Sequence, residues 1–284
     1  MNGGGWERIA EGLAFPEAPR WHDGSFWCSD IFGGEVLRIG DGAPQVVLKL
    51  AGRPSGLGWR ADGTMLVVSM DEQRLLGLAP GDAVPVTIAD LASVTTGPAN
   101  DMIVDDRGRA YIGNFGYDYA AGAERRPARL AMVDVDGAVH AVADDLWFPN
   151  GMAITPDGAT LLVAETPMSR VTAFAIDADG RLGRRSSFAE LDCARPDGIA
   201  LDAEGALWVA SPGTGELVRV AAGGEVLESV GLPVPMVQAC ALGGNDGRLL
   251  LACASPTHDA RTALDERGAT LICRRVAVPG ASAG

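Results

Sequence analysis

The chain has 284 residues, 47% hydrophobic and 21% charged, a balance that sustains a folded core and excludes disorder for its bulk. Its 38 glycines and 17 prolines exceed their average share, so turns must be dense. The net charge of −14 comes with no basic patch, which argues against nucleic acid or an anionic membrane as partner.

The N-terminal residues Met1 to Arg8 lack the basic segment and apolar run of a signal peptide. No apolar run approaches the ~18 residues of a membrane span, so a cytoplasmic location is expected. A first strand-like stretch, Trp6-Glu7-Arg8-Ile9, precedes a segment that recurs six times. The copies begin at Pro16-Glu17-Ala18-Pro19, Pro54-Ser55-Gly56-Leu57, Ala99-Asn100-Asp101-Met102, Pro149-Asn150-Gly151-Met152, Pro196-Asp197-Gly198-Ile199 and Val237-Gln238-Ala239-Cys240. Their second positions lie 38, 45, 50, 47 and 41 residues apart.

Each copy then reaches a turn: Asp23-Gly24, Asp62-Gly63, Arg107-Gly108, Asp157-Gly158, Glu204-Gly205 and Asp246-Gly247. Glycine in such a turn accepts the positive φ that a tight hairpin requires. Apolar runs follow, such as Met65-Leu66-Val67-Val68 and Leu207-Trp208-Val209-Ala210, then further strands such as Glu35 to Arg38 and Val171 to Phe174. No window of 11 to 18 residues carries a helical period. Six units of several short strands predict an all-β, six-bladed β-propeller, one domain over residues 1–284. The Trp6 to Ile9 stretch would add the outermost strand of the last blade. A β-sandwich has no reason to repeat one segment six times.

The first strand of each propeller blade runs along the central channel, so equivalent positions form a ring. Here the ring reads Glu17, Ser55, Asn100, Asn150, Asp197 and Gln238, all polar, where a structural column would be Val, Ile or Leu. Two carboxylates with amide and hydroxyl oxygens suit one divalent cation. The competing reading is a set of turn caps lining a water-filled channel.

These residues also carry a resemblance. From about Glu11 to Ala254 the chain resembles the gluconolactonases, the senescence marker protein regucalcin and the luciferin-regenerating enzyme. The most specific stretches are Phe15 to Trp21, Asn100-Asp101, Phe148 to Ala153 and Arg195 to Ala200. The resemblance implies a six-bladed propeller that hydrolyses lactones with one divalent metal, whose ligands would be Glu17, Asn150 and Asp197. Asn100 would lie near the substrate. Pro98 stands where the family's sugar-lactone enzymes often carry an Arg, which favours a less polar lactone or ester. Trp147 and Phe148 could line such a pocket, and Asp118 falls near a position where the family can place an acidic substrate contact.

In the mechanism this implies, the cation polarises the lactone carbonyl while a carboxylate takes the proton of the attacking water. Asp197 is the first candidate for that base. Asp101 is the second, or else orients a ligand from outside the metal's own shell. The donor set admits Ca, Zn, Mg, Mn or Fe. A phosphotriester or another activated ester would be an alternative substrate of the same site, and a non-catalytic binding propeller a third reading.

Other chemistries find no support. Lys49 is the one lysine and has no glycine framework before it, which leaves neither a Walker-type phosphate loop nor a ready Schiff-base site. His22, His140 and His258 form no HExxH pattern, and no GxSxG elbow is present. His22 and His140 read as loop or strand-edge residues, and His258 as part of a last-blade loop that could reach the channel mouth. Asp177 to Gly180 reads as a hairpin turn. Cys28, Cys193, Cys240, Cys253 and Cys273 have no CxxC spacing and read as small buried hydrophobes.

Overall fold

Strand β1 (Glu7–Leu13) leads into blade 1, made of β2 (Pro16–His22), β3 (Ser25–Asp30), β4 (Glu35–Ile39) and β5 (Gln45–Lys49). Blade 2 holds β6 (Pro54–Trp59), β7 (Met65–Ser69), β8 (Arg74–Leu78) and β9 (Val86–Asp90). Blade 3 holds β10 (Ala99–Val104), β11 (Ala110–Asn114), β12 (Ala128–Val133) and β13 (Val139–Leu146). Blade 4 holds β14 (Pro149–Ile154), β15 (Thr160–Glu165), β16 (Arg170–Ile176) and β17 (Leu182–Glu190). Blade 5 holds β18 (Ile199–Leu201), β19 (Leu207–Ser211), β20 (Glu216–Val220) and β21 (Val226–Gly231). Blade 6 holds β22 (Met236–Gly243), β23 (Leu249–Ser255) and β24 (Ala269–Arg275), with β1 paired to β24 as its outermost strand. This computed structural model describes residues 5–40, 43–119, 121–192, 194–232 and 234–281.

The fold is the expected six-bladed β-propeller, and its composition follows from the layering. Second strands are covered on both faces by neighbouring blades, so Met65–Ser69 and Leu207–Ser211 are buried at every residue. The outermost strand β17 has one face to solvent and accordingly carries Arg184, Arg185, Ser186 and Ser187 exposed. The apolar core forms six clusters, each between two adjacent blades. Leu66 and Val68 of blade 2 meet Met102 and Ile112 of blade 3 in one; Trp208 and Leu217 of blade 5 meet Leu250 and Ile272 of blade 6 in another.

All six expected hairpin turns form between the first and second strands, with their glycines at φ between 69° and 84°. In blade 1 both Asp23 (φ 51°) and Gly24 (φ 72°) are left-handed between paired His22 and Ser25, the geometry of a two-residue hairpin turn. Ring closure is fastened at the blade 6–blade 1 seam. Gln238 Nε2 donates to the Pro16 carbonyl at 2.9 Å, Arg267 Nε to the Gly12 carbonyl at 2.8 Å, and Arg267 Nη2 reaches Asp30 at 3.3 Å.

Helix α1 (Ala260–Glu266) interrupts the loop between β23 and β24, capped by Asp259, whose carboxylate accepts from the Thr262 N–H. Seven residues are too few for a periodic pattern, and the capping Asp is the main local signal. A single turn of 3₁₀ helix, Thr166–Met168, lies between β15 and β16. Among the described residues no helix is long and apolar enough to cross a membrane. Cys28, Cys240, Cys253 and Cys273 are buried free thiols as expected, and Cys193 lies outside the described residues.

Candidate functional site

Antiparallel pairing sets the start of each inner strand beside the end of the second strand: Pro16 opposite Asp30, Pro54 opposite Ser69, Ala99 opposite Asn114, Pro149 opposite Glu165, Met236 opposite Ser255. The six ring residues therefore lie toward one end of the channel, the mouth, away from the hairpin turns. Glu17, Ser55, Asn100, Asn150 and Gln238 come from β2, β6, β10, β14 and β22, and Asp197 just precedes β18.

The pairing register slips at this level in all five strands, between Glu17 and Arg20, Pro54 and Leu57, Ala99 and Met102, Pro149 and Met152, and Val237 and Ala239. Such bulges bend a strand and re-aim its side chains. They also let inner strands touch sideways. The Gly151 N–H donates to the Asp197 carbonyl at 3.1 Å, and the Gly198 N–H to the Gln238 carbonyl at 2.8 Å. A Cβ at Gly151 would fall 2.5 Å from that Asp197 oxygen, and one at Gly198 would fall 2.6 Å from the Ala239 Cα, so both positions need glycine.

Asn100 and Asn150 are buried and joined, Asn100 Nδ2 donating to Asn150 Oδ1 at 3.0 Å. Asn150 Nδ2 donates to Thr166 Oγ1 at 3.2 Å, and Thr166 Oγ1 donates to the Pro196 carbonyl at 2.7 Å, which links blade 4 to the segment holding Asp197. Asp101 points its Oδ1 at Arg20 Nη2 (2.7 Å) and the Met102 N–H (2.8 Å). Arg20 also donates to the Met102 carbonyl at 2.5 Å.

The carboxylates are electrostatically uncomfortable. Burial pushes Glu17 up to about 8; the Ala18 N–H and Arg20 pull it down, and the charge of Asp101 adds to the rise. Burial also raises Asp197 well above the usual range, followed by the charges of Glu17 and Asp101, against a hydrogen bond from Asn150. Asp101 is raised by burial too, opposed by Arg20 and the Met102 N–H. Among the described residues neither Glu17 nor Asp197 has an ion-pair partner. Gln238 Oε1 is likewise buried without a hydrogen-bond partner. Both carboxylates are half-buried, and crowded carboxylates without a basic partner are favoured in the protonated form or with a cation that neutralises them. The same residues include no cluster of three His, Cys, Asp or Glu side chains arranged to hold a metal, so any cation here would depend on the asparagine oxygens as well.

The remaining sequence candidates lie further out. Asp118 is exposed, and its Oδ1 accepts from the Ala121 N–H at 3.0 Å, closing its own loop. Trp147 is half-buried, with its backbone N–H donating to Glu165 at 2.9 Å. His258 is exposed ahead of α1, in the loop that leaves β23 at the mouth end. His22 ends β2 and stacks on Trp59 at 4.1 Å, and His140 lies in the outermost strand of blade 3.

Sequence reasoning assigned no role to Arg20, Thr166 or Glu165. Arg20 lies inside a motif that was legible, but its pairing to Asp101 spans 81 residues. Buried Glu165 gathers the Trp147 N–H, Arg170, Thr172 and Arg185, and so supports the linker into Asn150.

A family model described as SMP-30/Gluconolactonase/LRE-like region matches residues 15–255. The chain is 29% identical over 277 residues to 6-deoxy-6-sulfogluconolactonase of Pseudomonas putida, covering 93% of this chain and 92% of that protein. It is 30% identical over 240 residues to the pentonolactonase of Haloferax volcanii, covering 81% and 78%. The solved structure of regucalcin from Agrobacterium tumefaciens, described as a calcium-binding protein, matches with a TM-score of 0.80 at 24% identity, over 98% of this chain and 95% of that one. The chain belongs to the SMP-30/gluconolactonase/LRE-like family.

Proposed function

We propose that this chain is a lactone hydrolase whose single propeller domain holds one divalent cation between Glu17, Asn150 and Asp197. The observation that carries the metal reading is the pair of half-buried carboxylates, Glu17 and Asp197, brought from blades 1 and 5 close enough for the charge of Glu17 to raise the pKa of Asp197, with no ion-pair partner among the described residues. Two relatives named as lactonases support the reaction class.

A cation bound there would supply Lewis acidity toward the ester carbonyl and lower the pKa of water. Asp197, once its charge is compensated, takes the proton of the attacking water. The water oxygen bonds to the carbonyl carbon, the ring C–O bond breaks, and the proton returns to the departing ring oxygen as a hydroxyl. Asn100, bonded to Asn150, presents its amide edge beside the reacting ester. Asp101 serves as a positioning group, since its Oδ1 is already engaged by Arg20 and the Met102 N–H.

The test is metal analysis of the purified protein, followed by chelator-controlled hydrolysis of sugar, aliphatic and aromatic lactones with a phosphotriester in the same panel. Lactone opening that disappears with chelator and returns with a divalent metal is the expected result. Equal rates with and without chelator would overturn the metal assignment.

A further inference from the structure

Aromatic side chains gather where the polar ring ends. Phe115 follows β11, and its N–H donates to the carbonyl of Pro98, two residues before Asn100. Phe148 precedes β14, two residues before Asn150. Although 33 positions apart in the sequence, their rings stack at 4.3 Å with planes 25° apart. Tyr117 lies 6.5 Å from Phe148, and Tyr119 meets Phe115 edge-on at 6.2 Å. Phe148 sits at φ 51°, a conformation that bulky side chains rarely adopt. Its placement is thus imposed by the linker and by the stack.

The rings are not closed into the core. Phe115, Tyr117 and Phe148 are half-buried, and Tyr119 is exposed. The Phe115 and Phe148 rings carry no polar atom, and the charged groups around them are engaged with the protein. Asp118 closes its own loop, Arg53 grips Asp71 through Nε at 2.9 Å and through Nη2, and Pro98 offers no side-chain donor. A hydroxyl group desolvated against the faces of Phe148 and Phe115 would lose water without gaining a partner there, whereas an apolar group would gain burial and ring contact.

We propose that Phe148, backed by Phe115 and Tyr117, is a specificity-determining wall that selects lactones bearing an apolar or aromatic substituent over polyhydroxylated ones. This rests on the lactonase reading above. The wall touches the substituent and not the ester, so it sorts substrates by binding of the side group.

The experiment compares wild type, Phe148→Gly and Phe115→Leu on a phenyl-substituted and a polyhydroxylated lactone of the same ring size. Glycine suits the positive φ at 148, so the ring is removed while the backbone is kept. Wild type is expected to favour the phenyl lactone by roughly tenfold or more in kcat/KM, and Phe148→Gly to collapse that ratio, chiefly through KM. A wild-type preference for the polyhydroxylated lactone, or an equal loss on both substrates, would overturn the wall. Binding of the same two lactones is measured by calorimetry with chelator present. If no lactone is hydrolysed, the reaction assignment fails and this arm decides the wall alone: weakened phenyl-lactone binding in Phe148→Gly supports it, and unchanged binding overturns it.

Discussion

The hairpin-end carboxylates and the Glu17–Asp197 pair at the mouth meet opposite fates with the same residue types. At the hairpin end, Asp62, Asp105, Asp157, Asp202 and Asp246 each accept a backbone N–H two residues on. Two of them also meet arginines inside the fold, Asp105 with Arg109 and Asp202 with Arg219, both at 2.6 Å. At the mouth end Asp30 and Glu165 are paired with arginines in the same way, whereas half-buried Glu17 and Asp197 have no such partner among the described residues. The paired carboxylates are structural components with satisfied valences; Glu17 and Asp197 carry an unmet demand for positive charge. The difference teaches that burial and acidity alone do not mark a site, and that an absent partner does.

Substitutions at the two ends should therefore divide activity from stability. Asp197→Ala and Glu17→Gln are expected to reduce kcat/KM for lactones by about 10²–10³-fold or more, because charge stabilisation at the reacting oxygen is lost. Their metal-free thermal stability should be unchanged or higher, since one of two half-buried, mutually repelling carboxylates is removed; a drop in melting temperature without loss of activity would contradict the contrast. Divalent metal at 100 times its Kd should stabilise wild type by about 2.7 kcal/mol and leave Glu17→Gln nearly unaffected, as read by thermal shift.

Arg219→Met tests the other end. It leaves the fully buried Asp202 carboxylate unpaired and should cost roughly 3–5 kcal/mol in urea unfolding. The specific activity of the folded fraction should persist. Gly151→Ala lies on the boundary: its methyl group meets the Asp197 carbonyl, so a loss of about 1–3 kcal/mol should accompany a fall in activity, because the same contact positions Asn150 against Asp197.

The smallest expected effect concerns pH. Glu165 is buried, which raises its pKa, but its bonds to Arg170, Thr172 and the Trp147 N–H win and hold it below the usual range. A depressed carboxyl contributes stability that is present above the unfolded-state value and lost as pH falls through the folded-state value. Unfolding midpoints measured downward from pH 6 should fall more steeply for wild type than for Glu165→Gln. Parallel curves would show that this network is not coupled to protonation.

Local chemistry was legible in the sequence, and distant chemistry was not. The turns at Asp23-Gly24 and Asp157-Gly158 were readable because a two- to four-residue hairpin states its own geometry. The inner column from Glu17 to Gln238 was readable because polar residues recur where a β-core needs apolar ones. The register slips beside that column were not, since they arise from crowding of strands from different blades, as at Gly151 and Gly198. Arg20 against Asp101 and Phe115 against Phe148 also depend on blades meeting in space. Helix α1 was missed because a seven-residue helix in a loop draws on its Asp259 cap and its surroundings more than on periodicity.

The pairing of β1 with β24 places a demand on synthesis. As the chain emerges, β1 has no partner until five complete blades and most of a sixth have been made. Until then it is an unpaired strand with hydrogen-bonding edges, the kind of segment that recruits other chains. Its charged residues Glu7, Arg8 and Glu11 are exposed in the finished ring and would discourage such pairing meanwhile. The native ring thus forms late and through contacts of very large sequence separation, a slow step by topology. Refolding is expected to pass through an open arc of blades, trapped by any mutation that weakens the Gln238–Pro16 or Arg267–Gly12 fastenings.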